Sequence, residues 1–297
     1  MSGTTNAEVR NIGFGRGKLK IRVYLAPESG FSVASVIVYG EKEALLIDTQ
    51  WTRSNAFRVC AEICELGVDL TQVFVTHSHP DHYFGTGYIA EQFPDAKIYA
   101  PEQTAGFYNT QFDEKIEHWT EVIGRHNVCT KKCKVEVLPE SNRLYVEGNE
   151  VVIYPDRMGD VKFNSLVWIP AIKTVYGSDI LFNKAHPFTC EVSKAERRKW
   201  MEDIEFIESL NPDVIIPGHF LPGTLFDYSV TDYMRSYLIA TEEVLKTAKT
   251  EGEFFLEMCR RFPDSNINML SNEMNASVFK GDRPWDWREE GDEIDEF

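Results

Sequence analysis

The run Thr76-His77-Ser78-His79-Pro80-Asp81-His82 places four side chains able to ligate a metal within six positions. Only 7 of the 297 residues are histidine and three of them fall here, which composition alone makes improbable. A lone histidine is more often a satisfied core residue. Four ligands at this spacing point instead to divalent cations held by imidazole nitrogen and carboxylate oxygen. His77 and His79 alternate, so an extended segment turns both rings the same way. Asp81 and His82 fall at the start of the next helix and reach toward an adjacent position about 3.5–4 Å away, the spacing of paired catalytic metals. Two cations fit the cluster better than one.

A loop that aims several side chains at one point needs rigid elements on either side. The apolar run 73–75 reads as a strand leading into the cluster, a helix near 83–92 leads out of it, and a strand follows at 97–100. Upstream, strands are expected at 19–25, 32–39 and 44–47, with Gly40-Glu41-Lys42 as a turn. A helix is expected over 54–66, with Phe57, Cys60, Ile63 and Cys64 at helical spacing and Gly67 as its stop. Residues 104–125 read as a further helix, carrying Phe107, Phe112, Ile116, Trp119 and Val122, and suggest a lid over the site. Strand patterns at 134–138, 143–146, 151–154, 166–169 and 174–176 suggest a second sheet. A helix over 193–210 precedes a short strand at 214–216, and two more helices fill about 229–262.

The formal net charge of -16, with no run of Lys or Arg to offset it, argues against a nucleic-acid partner. Residues 1–15 hold no apolar segment of signal-peptide length, and no transmembrane-length apolar stretch occurs. A cytoplasmic protein with no membrane partner and a small-molecule substrate is the expectation. Six cysteines in a chain this long suit reduced thiols, and the four-residue spacings Cys60/Cys64 and Cys129/Cys133 read as neighbours on helix turns. The organisation expected is one domain over 1–280, with a helical insertion at about 102–127, and an acidic tail at 281–297 bearing Trp285 and Trp287. That tail reads either as flexible or as an arm docking on a neighbour, which leaves a homodimer open.

The run His77-Ser78-His79-Pro80-Asp81-His82 resembles the signature loop of the metallo-β-lactamase superfamily, whose members include lactamases, lactonases and glyoxalase II type thioesterases. Further matches follow in the family's order over residues 19–220: Asp48 in Leu45-Leu46-Ile47-Asp48-Thr49, Asp179 in Tyr176-Gly177-Ser178-Asp179, and His219 in Pro217-Gly218-His219. The resemblance implies an α/β (α+β) fold, an αββα sandwich of two face-to-face sheets covered by helices. It also implies that His77 and His79 hold a first metal, that Asp81, His82 and His219 hold a second, and that Asp179 bridges them. Asp48 is expected to buttress the loop through hydrogen bonds. One departure stands out, because the family places another histidine in a stretch matching 155–165 and this chain has none there. Met158 or Asp160 takes the matching place. Carboxylate is the usual zinc ligand of the two, which favours Asp160; a mere polar turn is the other reading, and it leaves the first site short of a ligand.

The resemblance implies two divalent ions, zinc first with iron or manganese as alternatives, generating hydroxide from water at neutral pH. The expected reaction is attack on the carbonyl of a small lactam or lactone, with Asp81 orienting the water. The stretch 177–191 resembles fungal and bacterial members acting on small cyclic amides and esters, including benzoxazolinone-type γ-lactams. His186 is read either as an acid or carbonyl-polarising group at the pocket rim or as a structural histidine, and Tyr83 either as a catalytic neighbour or as packing. Phe107, Tyr108, Phe112, Trp119, Phe188 and Phe220 suit a flat aromatic substrate or simply the core. Alternatives are a glyoxalase II type thioesterase, a persulfide dioxygenase-like oxidoreductase with a single iron, and a scaffold that has lost its catalysis.

Overall fold

The computed structural model describes residues 6–15 and 18–282, so Trp285 and Trp287 of the acidic tail lie outside the described residues. Seven strands pair in chain order in the first sheet: β1 (Glu8–Gly13), β2 (Lys20–Leu25), β3 (Ala34–Tyr39), β4 (Glu43–Ile47), β5 (Asp69–Phe74), β6 (Lys97–Ala100) and β7 (Glu136–Val137). The pairing is antiparallel from β1 to β4 and parallel from β4 to β7. Helices α1 (Arg53–Leu66), α2 (Pro80–Tyr83), α3 (Thr86–Gln92) and α4 (Glu102–Ile123) interrupt the parallel half. The second sheet takes β8 (Arg143–Val146), β9 (Asn149–Arg157), β10 (Asn164–Ile169) and β11 (Thr174–Tyr176). A two-residue strand β12 (Phe182–Asn183) and helix α5 (Lys194–Ser209) then lead to β13 (Val214–Ile216), which pairs parallel with β11 at the sheet edge. Strand β14 (His219–Phe220) pairs with β12, and helices α6 (Ser229–Thr247), α7 (Glu251–Arg261) and α8 (Met269–Lys280) follow.

The period-two alternation of strand side chains feeds two cores from one sheet. Ile21, Val23, Val36, Val38, Leu45 and Ile47 point into a layer shared with Val151, Ile153, Val167 and Ile169 of the second sheet. The alternating residues Tyr24, Ile37, Ala44 and Leu46 face outward onto Ala56, Val59, Cys60 and Ile63 of α1. On the far side, Val175 and Ile215 are covered by Trp200, Ile204 and Ile207 of α5 and by Met234 and Leu238 of α6. The layers are therefore helix, sheet, sheet, helix, the αββα sandwich. Burying side chains such as these stabilises by roughly 1.5–3 kcal/mol each, so the sandwich is rigid enough to hold loops at its rim.

Several elements differ from the sequence expectations. The helix expected over 83–92 is broken into α2 and α3 at Gly85, where an added Cβ would lie 1.9 Å from the Thr49 carbonyl oxygen. Cys60 and Cys64 lie one turn apart on α1, but Gly124 ends α4 with a positive φ, and Cys129 and Cys133 fall in an irregular segment rather than on a helix. None of the six cysteines, all among the described residues, is in a disulfide. Strand β1 and helix α8 were not expected: β1 is half exposed along its length, and α8 buries Ser271, Asn272 and Asn275 where an apolar stripe would have announced a helix. No helix among the described residues is long and apolar enough to cross a membrane.

Candidate metal centre

The segments that matter leave the ends of neighbouring strands at one rim. Asp48 follows β4, the histidine loop follows β5, Ser178 and Asp179 follow β11, and Gly218 and His219 follow β13. Asp48 is fully buried with a φ of 60°, a left-handed conformation that Asp tolerates better than most residues. Its carboxylate accepts from the Thr76 amide at 2.9 Å, the Thr76 hydroxyl at 2.9 Å, the Tyr176 hydroxyl at 2.9 Å and His82 Nδ1 at 2.7 Å. One side chain thus ties β4 and the tip of β11 to both ends of the histidine loop. Gly218 is equally constrained, since a Cβ there would meet Asp179 Oδ1 at 2.2 Å, and only glycine lets His219 approach that carboxylate.

Each imidazole is fixed through the nitrogen that faces away from the centre, which sets its tautomer. His77 Nδ1 donates to the Thr76 hydroxyl at 3.0 Å, His82 Nδ1 to Asp48, His219 Nδ1 to the Phe31 carbonyl at 2.8 Å, and His79 Nε2 to Glu191 at 3.2 Å. The remaining nitrogens converge. His77 Nε2 lies 3.9 Å from Asp160 Oδ1 and 3.8 Å from Asp179 Oδ2, while His79 Nδ1 lies 2.9 Å from Asp160 Oδ2. His82 Nε2 lies 3.2 Å from Asp179 Oδ1 and 3.5 Å from Asp81 Oδ2, and His219 Nε2 lies 3.2 Å from both Asp81 Oδ2 and Asp179 Oδ2.

Two groups result, His77, His79, Asp160 and Asp179 on one side and Asp81, His82, Asp179 and His219 on the other, each with its ligand atoms within 4.8 Å of one another. Asp179 belongs to both. His77 Nε2, His82 Nε2 and Asp179 Oδ1 are buried without a hydrogen-bond partner among the described residues. Burying three such atoms unpaired costs free energy, so a divalent cation on each side fits this donor set.

Burial raises the Asp179 pKa, yet the imidazoles of His219 and His82 outweigh it and hold the carboxyl well below its usual range. Burial pushes Asp160 up to about 8, with His79 opposing and the Asp179 charge adding to the rise. Burial, then His82, lowers His77. His219 is carried up to about 10 because Asp179 and Asp81 overcome its burial. Groups driven in opposite directions within one cluster are common at functional sites and also occur in structural ion-pair networks.

A cavity of about 640 Å³, counted out to its open mouth, stands over the cluster. His79, Asp81, Asp160, Asp179 and His219 form its floor, and Phe31, Trp51, Trp119, Phe182, Phe188 and Met274 its apolar walls. The rings interlock: Trp51 stands edge-on to Trp119 at 5.4 Å, and Phe182 stacks on His219 at 5.1 Å. Lys115 also lines the cavity; its ammonium donates to the Ser78 carbonyl at 2.8 Å, and burial lowers its pKa to about 8.

The structure brings together all seven residues expected to ligate metal: His77, His79, Asp81, His82, Asp160, Asp179 and His219. It does not bring His186 or Tyr83 to the cavity. His186 is fully buried, with Nδ1 bonded to the Tyr237 hydroxyl of α6 at 2.9 Å, whereas Phe188, two residues further on, lines the cavity. Tyr83 packs into the core against Tyr108 and Phe112. Of the aromatics expected to suit a flat substrate, Trp119 and Phe188 line the cavity, whereas Tyr108, Phe112 and Phe220 are core and Phe107 lies near Phe163. Sequence reasoning missed Lys115, Glu191, Phe31 and Trp51. A signal for Lys115 existed, since Tyr108, Phe112, Lys115 and Trp119 fall on one helical face.

Residues 29–131 match the family model described as the Metallo-beta-lactamase superfamily. Among solved structures, the chain is similar to a metallo-beta-lactamase from Pontibacter korlensis, at 17% identity and a TM-score of 0.56, over 78% of this chain and 99% of that one. It is similar to metallo-beta-lactamase IND-7 at 17% identity and a TM-score of 0.58, over 78% and 98%. A third likeness is to the mono-zinc form of metallo-beta-lactamase FIM-1 from Pseudomonas aeruginosa, at 14% identity and a TM-score of 0.53, over 78% and 95%. Identities this low speak for the fold alone. Taken with the segment match, they show that the chain has the metallo-β-lactamase fold and that residues 29–131 are similar to that superfamily.

Proposed function

We propose that this protein is a metal-dependent hydrolase that opens a small lactam or lactone carrying an aromatic ring. The observation that carries the reading is the pair of donor clusters sharing Asp179 beneath a cavity walled by aromatic rings. Divalent cations bound there supply Lewis acidity and lower the pKa of water to near neutrality. The chain's own residues do the rest. His77, His79 and Asp160 hold one cation, Asp81, His82 and His219 the other, and Asp179 keeps the two positions together. Asp81 lines the cavity floor and accepts a hydrogen bond from the attacking water. Trp51, Trp119 and Phe188 receive the flat ring and exclude bulk water, which strengthens every charge interaction beneath them.

The set His77, His79 and Asp160 is also the two-imidazole, one-carboxylate arrangement of single-iron enzymes, which supports an oxidoreductase as the second reading. A complete second cluster favours the hydrolase. Metal analysis of the purified protein beside a panel of aromatic lactams, lactones and thioesters tests the two. Two cations per chain with ring opening that chelation abolishes is the expected result. One iron per chain, oxygen consumption and no hydrolysis would overturn it.

A further inference from the structure

Helix α8 buries Ser271, Asn272 and Asn275, and two of these three polar side chains have an evident task in the fold. Asn275 Oδ1 accepts from the Thr189 and Cys190 amides at 2.8 and 3.0 Å, and its Nδ2 donates to the Pro187 carbonyl at 2.8 Å, which clips the segment after β12 to the helix. Asn272 Nδ2 donates to the Phe255 carbonyl at 3.3 Å and ties α8 to α7. Ser271 has no such task. It is 1% exposed, its hydroxyl has no hydrogen-bond partner among the described residues, and it lines the cavity together with Phe188 and Met274. Ser271 and Met274 stand three positions apart, on the face that α8 turns to the cavity.

Its surroundings are of the same kind. Asn268 begins α8 in a left-handed conformation, with a φ of 58°, and its side chain makes no capping bond. Both of its amide atoms, Nδ2 and Oδ1, are buried and unpaired, as is Thr189 Oγ1 on the segment that Asn275 clips to the helix. Hydroxyls and amides at this depth cost free energy unless something bonds to them. Their chemistry selects what fits. A hydroxyl and a carboxamide each offer a donor and an acceptor without net charge. A carboxylate only accepts and would face the amide and hydroxyl oxygens, and an ammonium only donates; a hydroxyl does both. We propose that the first turn of α8 is a substrate-recognition edge, where Ser271, backed by Asn268 and Thr189, takes a hydroxyl group borne by the aromatic ring of the substrate. The inference rests on reading the protein as a hydrolase of an aromatic lactam or lactone, and it deepens that reading by naming the substituent.

The test uses the full-length protein and dihydrocoumarin, an aromatic lactone, with its ring-hydroxylated derivatives, their methyl ethers and the matching carboxylates as probes. Binding to the chelator-stripped protein is followed by tryptophan fluorescence, since Trp51 and Trp119 wall the cavity, and ring opening is followed on the metal-loaded protein. At least one hydroxylated probe is expected to bind about tenfold more tightly than dihydrocoumarin, the size of effect one neutral hydrogen bond exerts. Its methyl ether and the matching carboxylate are expected to lose that gain. Ser271→Ala should bring the ratio to within about twofold of unity. Ser271→Cys, which keeps the bulk and loses the strong hydrogen bond, should do the same, with circular dichroism confirming that both variants are folded. Equal affinities for the plain and hydroxylated lactones, a preference that survives in Ser271→Ala, or tighter binding of the carboxylates would overturn the assignment. A stripped protein that prefers the hydroxyl while the loaded one opens no lactone removes the hydrolase and leaves the recognition edge; ring opening without the preference does the reverse.

Discussion

The floor and the walls of the cavity are built on different principles. On the floor, every imidazole is pinned from behind by a hydroxyl, a carbonyl or a carboxylate, and every donor-bearing segment leaves the end of a strand at one rim. Part of the walls comes from α4, from the segment after β12 and from α8, which present Trp119, Phe188 and Met274 through packing. Geometry on the floor is therefore set by directional hydrogen bonds, and on the walls by contacts that volume-conserving changes disturb less. Under the proposed function, the first would fix the reaction chemistry and the second the choice of substrate.

The largest effect is expected from Asp179→Ala, which removes the carboxylate common to both clusters: bound metal should drop below two per chain and turnover should fall by about 10²–10³-fold. A normal rate with this variant would erase the contrast between floor and walls. Asp48→Asn keeps the left-handed backbone but weakens the node joining Thr76, His82 and Tyr176, and urea unfolding should show a loss of about 3 kcal/mol. Glu191→Gln should weaken metal binding about 10–100-fold in chelator competition without moving the unfolding midpoint of the stripped protein. On the walls, Trp119→Ala should raise KM about tenfold while kcat and metal content hold, which a steady-state comparison with an aromatic lactone reads directly.

The effect furthest from the site concerns His186, whose pKa burial lowers to about 4. Its unfolded value lies near 6.5, so above that pH both states carry it neutral and it makes no pH-dependent contribution. As pH falls from about 6.5 toward 4, the unfolded chain binds a proton that the folded one refuses, and stability is lost. His186→Phe should flatten that part of the stability profile by on the order of 1–3 kcal/mol and leave neutral-pH turnover unchanged. A change in kcat would return His186 to the reaction.

What could be read from the sequence follows the same division. The histidine loop is a contiguous run of ligands, and Asp48, Asp179 and His219 sit at strand ends that hydrophobic patterning locates, so the floor was legible. Asp160 reads from the sequence as either ligand or polar turn, because the gaps around it hide its register; the fold sets its Oδ2 2.9 Å from His79 Nδ1. The walls were legible only in part. Phe31 and Trp51 line the cavity because two loops converge at the rim, and Glu191 because its segment folds back onto His79. No local period encodes such meetings. His186 misled for the same reason: seven residues of separation from Asp179 say nothing about which way the chain turns after β12. The α4 helix was foreseen, and its stripe held Lys115 in plain sight, but an ammonium among apolar positions reads as solvent-facing until the fold shows it buried.

The order of the donors along the chain also bears on synthesis. His77, His79, Asp160 and Asp179 all precede His219, so a chain leaving the ribosome displays a full set for one side while the other still waits for 40 residues to emerge. Asp48 meets Thr76 and His82 of the loop directly, and Tyr176 adds the tie to the second sheet across 128 positions. The centre is thus complete only once the second sheet has closed onto the first, and its donors form a clasp between two halves of the molecule made at different times.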